Sequence, residues 1–185
     1  LLFDAKTGSL LASMDAKLIT SFRTAATSAL AADYLAKKDA KTLLVMGNGN
    51  LAPYFIEAHA SVRNYEKIYL WGRRSEISMK VKNELSHLPI EVIEDYKTGA
   101  KSADVISCIT SSNAAFFEET DLVSGQHFDL AGSFTHAMHE VSSALLSKCS
   151  VYCDNLDTTP FHAGEIMKAM EEKIFSVEDI KGDLA

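Results

Sequence analysis

The sequence predicts an α/β fold, in which a doubly wound parallel sheet follows a short N-terminal hairpin. From residue 42 onward, apolar segments of strand length alternate with segments of helical periodicity, as in a parallel sheet with helical crossovers. The first of these strands leads directly into a glycine-rich turn and then a helix. The chain has 185 residues, of which 47% are hydrophobic, and this is enough for one substantial core.

The chain opens on a predicted β-hairpin. Two short apolar stretches, 1–4 and 10–12, flank a turn that contains Gly8. A two-stranded hairpin is marginal by itself, so we expect these strands to belong to a sheet whose remainder is absent or supplied by another chain. An alanine-rich segment from Thr20 to about Ala36 then predicts a closely packed helix with Thr20 as its N-cap.

The remaining elements follow from the same two periodicities. Strands are expected at 42–46, 67–71, 90–94, 104–109, 127–131 and 150–153. Helices are expected at 52–63, 75–86, 141–146, 163–171 and 177–181, with a further short helix before residue 104. Right-handed crossovers wind such a sheet in two directions, and ligands bind beyond the carboxyl ends of the strands where the winding reverses.

The segment after the strand at 42–46 has the spacing G-x-G-x-x-A. Gly47 would allow the tight turn, Gly49 would let the backbone approach a pyrophosphate, and Ala52 would let the new helix pack closely on the sheet. The helix N-terminus would offer free N–H groups and partial positive charge to the phosphates. The alternative is an ordinary strand-to-helix turn. We predict a dinucleotide site formed by Gly47, Asn48, Gly49, Asn50, Leu51 and Ala52.

The residues after the second strand of this unit bear on the identity of the dinucleotide. NAD-binding folds carry an Asp or Glu there, which accepts hydrogen bonds from the ribose 2′-hydroxyl. This chain has Arg73, Arg74 and Ser75 instead. Guanidinium groups suit a 2′-phosphate, so these residues favour NADP(H) as cofactor, with NAD(H) as the alternative. The competing interpretation places both arginines on a solvated surface, or pairs one of them with Glu76.

Composition and charge argue against several classes of function. The net charge of −7 is unfavourable for binding nucleic acid, whose phosphates require a basic surface. No apolar run reaches the roughly 18 residues of a membrane span, so no membrane partner is expected. Three cysteines without a CxxC pair fit a reducing compartment, which predicts a cytoplasmic protein with buried structural thiols. No second ligand pair with zinc-like spacing accompanies His136 and His139, so no metal site is predicted.

A series of short segments runs in fixed order along nearly the whole chain. They are Asp4-Ala-Lys-Thr-Gly8, Leu18-Ile-Thr-Ser-Phe-Arg23-Thr24-Ala25-Ala26, Gly47-Asn-Gly-Asn-Leu-Ala52, Leu70-Trp-Gly-Arg73, Ala103-Asp-Val-Ile106, Thr110, and Gly132-Ser133 leading to Glu140. In order and spacing they resemble the ornithine cyclodeaminase and mu-crystallin family. The resemblance implies a homodimer whose dimerisation and substrate domain surrounds an NAD(P)-binding Rossmann domain. Residues 1–18 would then be a remnant of the first domain, and residues 19–185 would form the second.

The resemblance also implies roles for individual residues. It makes Arg23 the residue that binds the substrate carboxylate, which a guanidinium can hold in two-point contact. The residues it places at the cofactor are Thr24, Thr110, Ser111, Gly132 and Ser133. A cation in the first turn of a helix opposes the helix dipole, so another role would keep Arg23 there. From the residues alone, Arg23 could instead pair with Asp15 or Asp33, and the strand-end residues could form plain hydrogen-bonded turns.

One position departs from the family pattern. The cyclodeaminases that the chain resembles carry a catalytic Asp where this chain has Phe134, and a phenyl ring cannot transfer a proton. Hydride transfer to an imine needs a positioned nicotinamide and a substrate clamp, so reductase activity would survive this change. His136 or His139 would then be a candidate proton donor. We therefore expect an NADP(H)-dependent reductase that acts on a small cyclic imine or imino acid.

Two other functions stay open. One is a non-catalytic NADPH-binding module of the mu-crystallin kind. The other is an ornithine cyclodeaminase or alanine dehydrogenase that uses NAD, against which Phe134 and the Arg73–Arg74 pair both count. The proteins that the chain resembles extend before Leu1 and beyond Ala185, so we expect a fragment, an excised domain or a shortened relative.

Overall fold

The structure, a computed structural model, describes residues 1–121 and 123–184. It opens with an antiparallel hairpin of β1 (Leu2–Phe3) and β2 (Leu10–Ala12). In the connecting turn, the Asp4 carboxylate accepts the backbone N–H of Thr7 at 2.7 Å, and Gly8 has a φ of +72°. The predicted hairpin is therefore confirmed.

Helix α1 (Ala16–Leu35) begins before the predicted position. Its N-cap is Asp15, whose carboxylate accepts the backbone N–H of Lys17 at 2.9 Å, so the prediction of Thr20 as N-cap was wrong. Residues 16–19 add a further turn because nothing in them opposes a helix and an Asp lies just ahead of them. Arg23 consequently lies two turns inside α1, where the dipole argument for the first turn does not apply. The domain boundary predicted after residue 18 falls in the first turn of α1 and stays a prediction.

The main body is a parallel sheet of β3 (Thr42–Met46), β4 (Lys67–Trp71), β5 (Ile90–Val92), β6 (Val105–Cys108) and β7 (His127–Leu130). The strand order is β5-β4-β3-β6-β7, so the winding reverses between β3 and β6. The last residues of β3 pair with the last residues of both neighbours, because Met46 lies opposite Trp71 and Cys108. The loops after β3, β4 and β6 therefore emerge side by side, as the predicted doubly wound fold requires.

Helices cover both faces of this sheet. The crossovers are α2 (Ala52–Val62), α3 (Ser75–Glu84) and α4 (Tyr96–Ser102), and α1 packs along α2. Alternate residues of β3 serve the two faces: Leu43 and Val45 pack on one side, and Leu44 and Met46 on the other. All four are fully buried, which explains why the central strand is continuously apolar.

The C-terminal part differs most from the sequence-based prediction. It contains α5 (Ser143–Ser147) and α6 (Gly164–Glu171), while the helix predicted at 177–181 is one 3₁₀ turn, Val177–Asp179. The strand predicted at 150–153 is absent from the described residues. Val151 and Cys153 are buried beside Ile166 of α6, and the backbone of this segment pairs with residues 181–182. The alternation that suggested a strand therefore reflects burial against a helix.

Among the described residues, no helix is long and apolar enough to cross a bilayer. In the same residues, no group of three His, Cys, Asp or Glu side chains is arranged to hold a metal ion.

Candidate functional site

The glycine turn lies where the winding of the sheet reverses. Gly47 has a φ of +117°, and a Cβ there would lie 2.9 Å from the carbonyl oxygen of Ile109, just beyond β6. Its own N–H donates to the carbonyl oxygen of Trp71, at the end of β4, at 2.8 Å. Only glycine suits this position, because both the backbone conformation and the close approach of the β6 loop exclude a side chain.

The residues after Gly47 leave the start of α2 accessible. Gly49 and Asn50 are exposed, and a Cβ on Gly49 would contact nothing within 4 Å. Leu51 is the N-cap and provides no side-chain hydrogen bond, while Pro53 lies in the first helical positions. Ala52 is fully buried, as close packing of helix on sheet requires. The turn thus has the form of an anion-binding helix N-terminus.

Asn48 connects the glycine turn to the loop between β4 and α3. Its Nδ2 donates to the carbonyl oxygen of Arg74 at 2.7 Å and to Oγ of Ser78 at 2.9 Å. The side chain lies against Gly72, where any Cβ would overlap the Asn48 amide. The side-chain amide is therefore already hydrogen-bonded within the protein. Any contact of Asn48 with a cofactor would be made by its backbone. Sequence reasoning missed the roles of Gly72 and Ser78, which no local pattern signals.

The predicted phosphate-binding residues lie at the start of α3. Arg73, Arg74 and Ser75 are exposed, Arg74 is the N-cap of α3, and no side chain caps this helix start. Among the described residues, neither guanidinium forms an ion pair with Glu76 or with any other carboxylate. Both cations are therefore available to an anionic ligand, although exposure alone also suits a solvated surface.

Beyond β6 and β7, a buried carboxylate joins the two strand ends. Oε1 of Glu140 accepts the backbone N–H and the hydroxyl of Thr110 at 2.6 and 2.7 Å, and Oε2 accepts the N–H of Gly132 at 3.0 Å. A Cβ on Gly132 would overlap the carbonyl oxygen of Thr110. The structure thus brings together Thr110 and Gly132, as predicted, through a carboxylate to which sequence reasoning assigned no role.

A second buried carboxylate supports the first. Oε1 of Glu165, in α6, accepts the backbone N–H of Glu140 at 2.7 Å. Nearby, the Ser133 hydroxyl donates to the carbonyl oxygen of Met138 at 2.6 Å and accepts the N–H of Gly164. Burial raises the pKa of Glu140 to about 7 despite the hydrogen bonds from Thr110, and burial also raises the pKa of Glu165. Ser111 stays exposed at the edge of this cluster.

A cavity of about 770 Å³ lies between α1, β7 and the segment 145–154. Arg23 and Thr24 line it from α1, and Ser133 and Phe134 line it from beyond β7. An ion pair of Arg23 with Asp15 or Asp33, the alternative role, is not observed. Asp15 caps α1 instead, and Asp33 lies 3.7 Å from Arg63. Among the described residues that line the cavity, none belongs to the glycine turn or to the pair Arg73 and Arg74.

Polar side chains also form a network at the wall of this cavity, between α1, α2 and β7. The Ser28 hydroxyl donates to the Asp129 carboxylate and lies 3.0 Å from Nε2 of His59, while Ser107 donates to Asp129 at 2.6 Å. Burial alone would raise the pKa of Asp129, but the His59 imidazole, whose Nε2 lies 3.7 Å from Oδ2 of Asp129, and hydrogen bonds from Ser107 and Ser28 outweigh burial and hold the pKa below its usual value. This network ties the helix that carries Arg23 to the sheet.

The two histidines proposed as proton donors do not line the cavity. Nε2 of His136 lies 2.7 Å from Oε1 of Glu171, and Nε2 of His139 lies 3.0 Å from Nζ of Lys168. The imidazoles among the described lining residues belong to His127 and His162. Burial lowers the pKa of His127, which makes it a poorer source of protons at neutral pH.

The cysteines have the environment expected of structural thiols. Cys108 and Cys153 are buried, Cys149 is half-buried, and all three are free. Burial raises the pKa of each thiol, so none has the low pKa of a reactive cysteine.

Comparison with known proteins gives one family and several similar enzymes. The ornithine cyclodeaminase/mu-crystallin family model matches residues 1–183. The Delta(1)-pyrroline-2-carboxylate reductase of Colwellia psychrerythraea is 33% identical over 189 residues, which cover 100% of this chain and 60% of that enzyme.

Solved structures are also similar over 98% of the chain, among them two reductase complexes. The Delta(1)-pyrroline-2-carboxylate reductase of Thermococcus litoralis, in complex with NADH and L-proline, superposes with a TM-score of 0.93 at 26% identity, and 57% of its chain is covered. The iminosuccinate reductase of Paracoccus denitrificans, in complex with NAD+, superposes with a TM-score of 0.88 at 29% identity, and 56% is covered. The chain therefore spans between 56% and 60% of the length of these three relatives.

Proposed function

The chain belongs to the ornithine cyclodeaminase/mu-crystallin family, and on this premise we propose that it is the nucleotide-binding part of an NADP(H)-dependent reductase of a cyclic imine or imino acid. The observation that carries the proposal is the close approach of the Gly47 turn to the β6 loop at the switch point of the sheet. Similar proteins reduce Delta(1)-pyrroline-2-carboxylate or iminosuccinate. Because the chain spans only part of their length, the activity of the whole protein is itself part of the proposal.

The residues at the switch point fit a nicotinamide dinucleotide. The open backbone at Gly49 and the uncapped start of α2 suit a pyrophosphate, and Arg73 and Arg74 suit a 2′-phosphate. When bound, the cofactor would supply a hydride to the imine carbon. The preference for NADP(H) rests on the two arginines alone, and NAD(H) is the alternative because the similar structures contain NADH or NAD+.

The cavity beside α1 is the proposed substrate site. Arg23 would bind the substrate carboxylate there, and Thr24 and Ser133 line the same cavity. Phe134 lines the same cavity and is 67% exposed. An apolar ring at this position removes a proton-transfer group that cyclodeamination would require, but it leaves hydride transfer open.

The cofactor proposal is tested by the single tryptophan of the chain. Trp71 ends β4, next to Gly72 and the arginine pair, so its fluorescence should report nucleotide binding. We expect saturable quenching by NADPH at lower concentration than by NADH. The variant in which Arg73 and Arg74 are both changed to Ala should lose this preference, whereas Lys80→Ala, an exposed change on α3, should keep it. Equal affinity of the unaltered chain for both nucleotides would contradict the NADP(H) assignment.

A non-catalytic NADPH-binding module is the second candidate. The observation that favours it is the absence of His136 and His139 from the cavity lining, together with Phe134. The two functions differ in one outcome: a reductase oxidises NADPH when Delta(1)-pyrroline-2-carboxylate is added, and a binding module does not. The whole protein should be assayed, because its relatives are longer than this chain.

We further propose a cytoplasmic homodimer, with residues 1–18 belonging to a dimerisation and substrate domain. The support is a set of exposed apolar side chains on the hairpin and in the first two turns of α1: Leu1, Leu2, Phe3, Leu10, Leu11, Met14, Leu18, Ile19 and Phe22. Surfaces of this kind are normally covered by another layer or chain. Light scattering of the whole protein should give the mass of a dimer, and the mass of a monomer would contradict the proposal.

A further inference from the structure

We propose that Glu140 is a positioning residue of the cofactor site, whose ionised carboxylate holds the Thr110 and Gly132 turns in their binding arrangement. This inference rests on the proposed function, because both turns are assigned to the cofactor there. Glu140 itself is completely buried, so its action on a ligand passes through these two turns.

The Glu140 carboxylate accepts hydrogen bonds where the backbone ladder between β6 and β7 ends. The last backbone bond between the two strand ends runs from the N–H of Ala131 to the carbonyl oxygen of Cys108, at 2.9 Å. Just beyond this bond, the N–H groups of Thr110 and Gly132 both donate to the Glu140 side chain instead of to a strand. The backbone ladder therefore ends at this bond, and the Glu140 carboxylate bridges the two closely packed loops beyond β6 and β7.

The ionised form is the one that suits these contacts. Three donors, two on Thr110 and one on Gly132, meet the two oxygens of Glu140, and a carboxylate has acceptor sites for all three. A protonated carboxyl carries a hydrogen of its own, so one of its oxygens loses acceptor capacity for these donors, and that hydrogen fits only if the Thr110 hydroxyl turns to accept it. A glutamine would do the same, because its amide nitrogen only donates. Loss of the charge should therefore release one of the two turns.

The side chain has no room to avoid this conflict. Gly132 approaches so closely that a Cβ would overlap the carbonyl oxygen of Thr110 and lie 2.5 Å from Oε1 of Glu140. On the opposite side, Glu165 accepts the backbone N–H of Glu140 at 2.7 Å and fixes the start of its side chain. Both ends of the Glu140 residue are thus held.

The charge of Glu140 is sensitive to pH near neutrality. Its pKa is raised to about 7 by burial, against hydrogen bonds from Thr110 and Gly132, with the charge of Glu165 adding to the rise. The pKa of the Cys108 thiol, at the end of β6, responds to the charges of both Glu140 and Asp129. His139 opposes the rise in the pKa of Glu165, and Lys168 of α6 contacts His139. Cofactor affinity should therefore fall as the pH drops through about 7.

The experiment measures affinity for NAD+ by Trp71 fluorescence between pH 5.5 and 8.5. NAD+ is the probe because it lacks the 2′-phosphate, which itself titrates in this range. The unaltered 185-residue chain should bind about tenfold more weakly at pH 6 than at pH 8, since about one tenth of Glu140 is ionised one pH unit below its pKa. Glu140→Gln should bind about tenfold more weakly at pH 8, with affinity independent of pH. Glu119→Gln, an exposed control of the same chemistry, should match the unaltered chain.

Each outcome bears on a separate claim. A flat profile for the unaltered chain, or an unchanged profile in Glu140→Gln, overturns the role of Glu140 while leaving nucleotide binding intact. Absence of NAD+ and NADPH binding at every pH overturns the proposed function, and this inference with it. If Glu140→Gln does not fold, the profile of the unaltered chain decides the matter alone.

Discussion

At the residue scale, two glycines of the proposed cofactor site differ sharply in their surroundings. Gly132 is enclosed by the Thr110 backbone and the Glu140 carboxylate, whereas Gly49 faces open space. Gly132→Ala should therefore lower the free energy of unfolding by about 1–3 kcal/mol, because the added methyl group displaces packed backbone. Gly49→Ala should change it by less than about 0.5 kcal/mol but weaken nucleotide binding. Urea unfolding and fluorescence titration measure the two effects, and equal destabilisation by both changes would contradict this interpretation.

The titration of Glu140 should also make the stability of the fold depend on pH. Burial raises the pKa of Glu140 from 4.5 to about 7, so the folded state binds this proton more tightly than the unfolded state. The contribution of Glu140 to stability is then fully present below pH 4.5 and is lost as the pH rises to about 7. Across that window the difference is about 3 kcal/mol.

Glu140→Gln removes the titration of this carboxyl group and leaves every other titratable group unchanged. Relative to the unaltered chain, its free energy of unfolding should improve between pH 5 and about pH 7 and then level off, whatever its absolute value. Urea unfolding at several pH values provides the measurement. A constant difference between the two proteins would mean that Glu140 does not titrate in this range, which would also weaken its proposed positioning role.

At the scale of elements, the start of α1 allows a direct test of the corrected helix boundary. Asp15 caps the helix and Thr20 is exposed one turn inside it. Asp15→Ala should cost about 1 kcal/mol of stability, which is typical of a lost N-cap. Thr20→Ala should cost nothing or stabilise slightly, because alanine is the better helix former. Thermal unfolding distinguishes the two, and a larger loss from Thr20→Ala would restore the original boundary.

The glycine turn and the arginine loop are coupled through one side chain. Asn48 joins the turn after β3 to Arg74 and Ser78 beyond β4. Asn48→Ala should loosen the arginine loop and reduce the ratio of NADPH to NADH affinity, while affinity for NADH changes little. Ser61→Ala, on the distant end of α2, serves as the control. An Asn48→Ala chain with an unchanged affinity ratio would show that the loop is held by other contacts.

At the scale of the whole molecule, the parts of the fold that follow from periodicity were predictable. The central strands β3 and β6 are largely apolar because helices bury the sheet on both faces, and the Gly47 turn marks the switch point. The strand predicted at 150–153 was wrong because burial against α6 produces the same alternation of buried and exposed residues as a strand in a sheet. Glu140 has no periodic signature at all, since its role comes from two loops that meet only in the folded chain.

The cavity between α1 and β7 is lined by residues from distant parts of the chain, so ligand binding there should stabilise the whole fold. A nucleotide at about 100 times its dissociation constant should stabilise the folded chain by about 2.7 kcal/mol, or about 5–10 °C in Tm. L-proline, added to the NADPH complex, should raise Tm further if Arg23 binds its carboxylate in this cavity. Arg23→Ala should keep the nucleotide effect and lose the proline effect. Lys17→Ala, an exposed change on the same helix outside the described cavity lining, should keep both. A proline effect that persists in Arg23→Ala would place the carboxylate elsewhere, whereas loss of both effects would mean that α1 also positions the nucleotide.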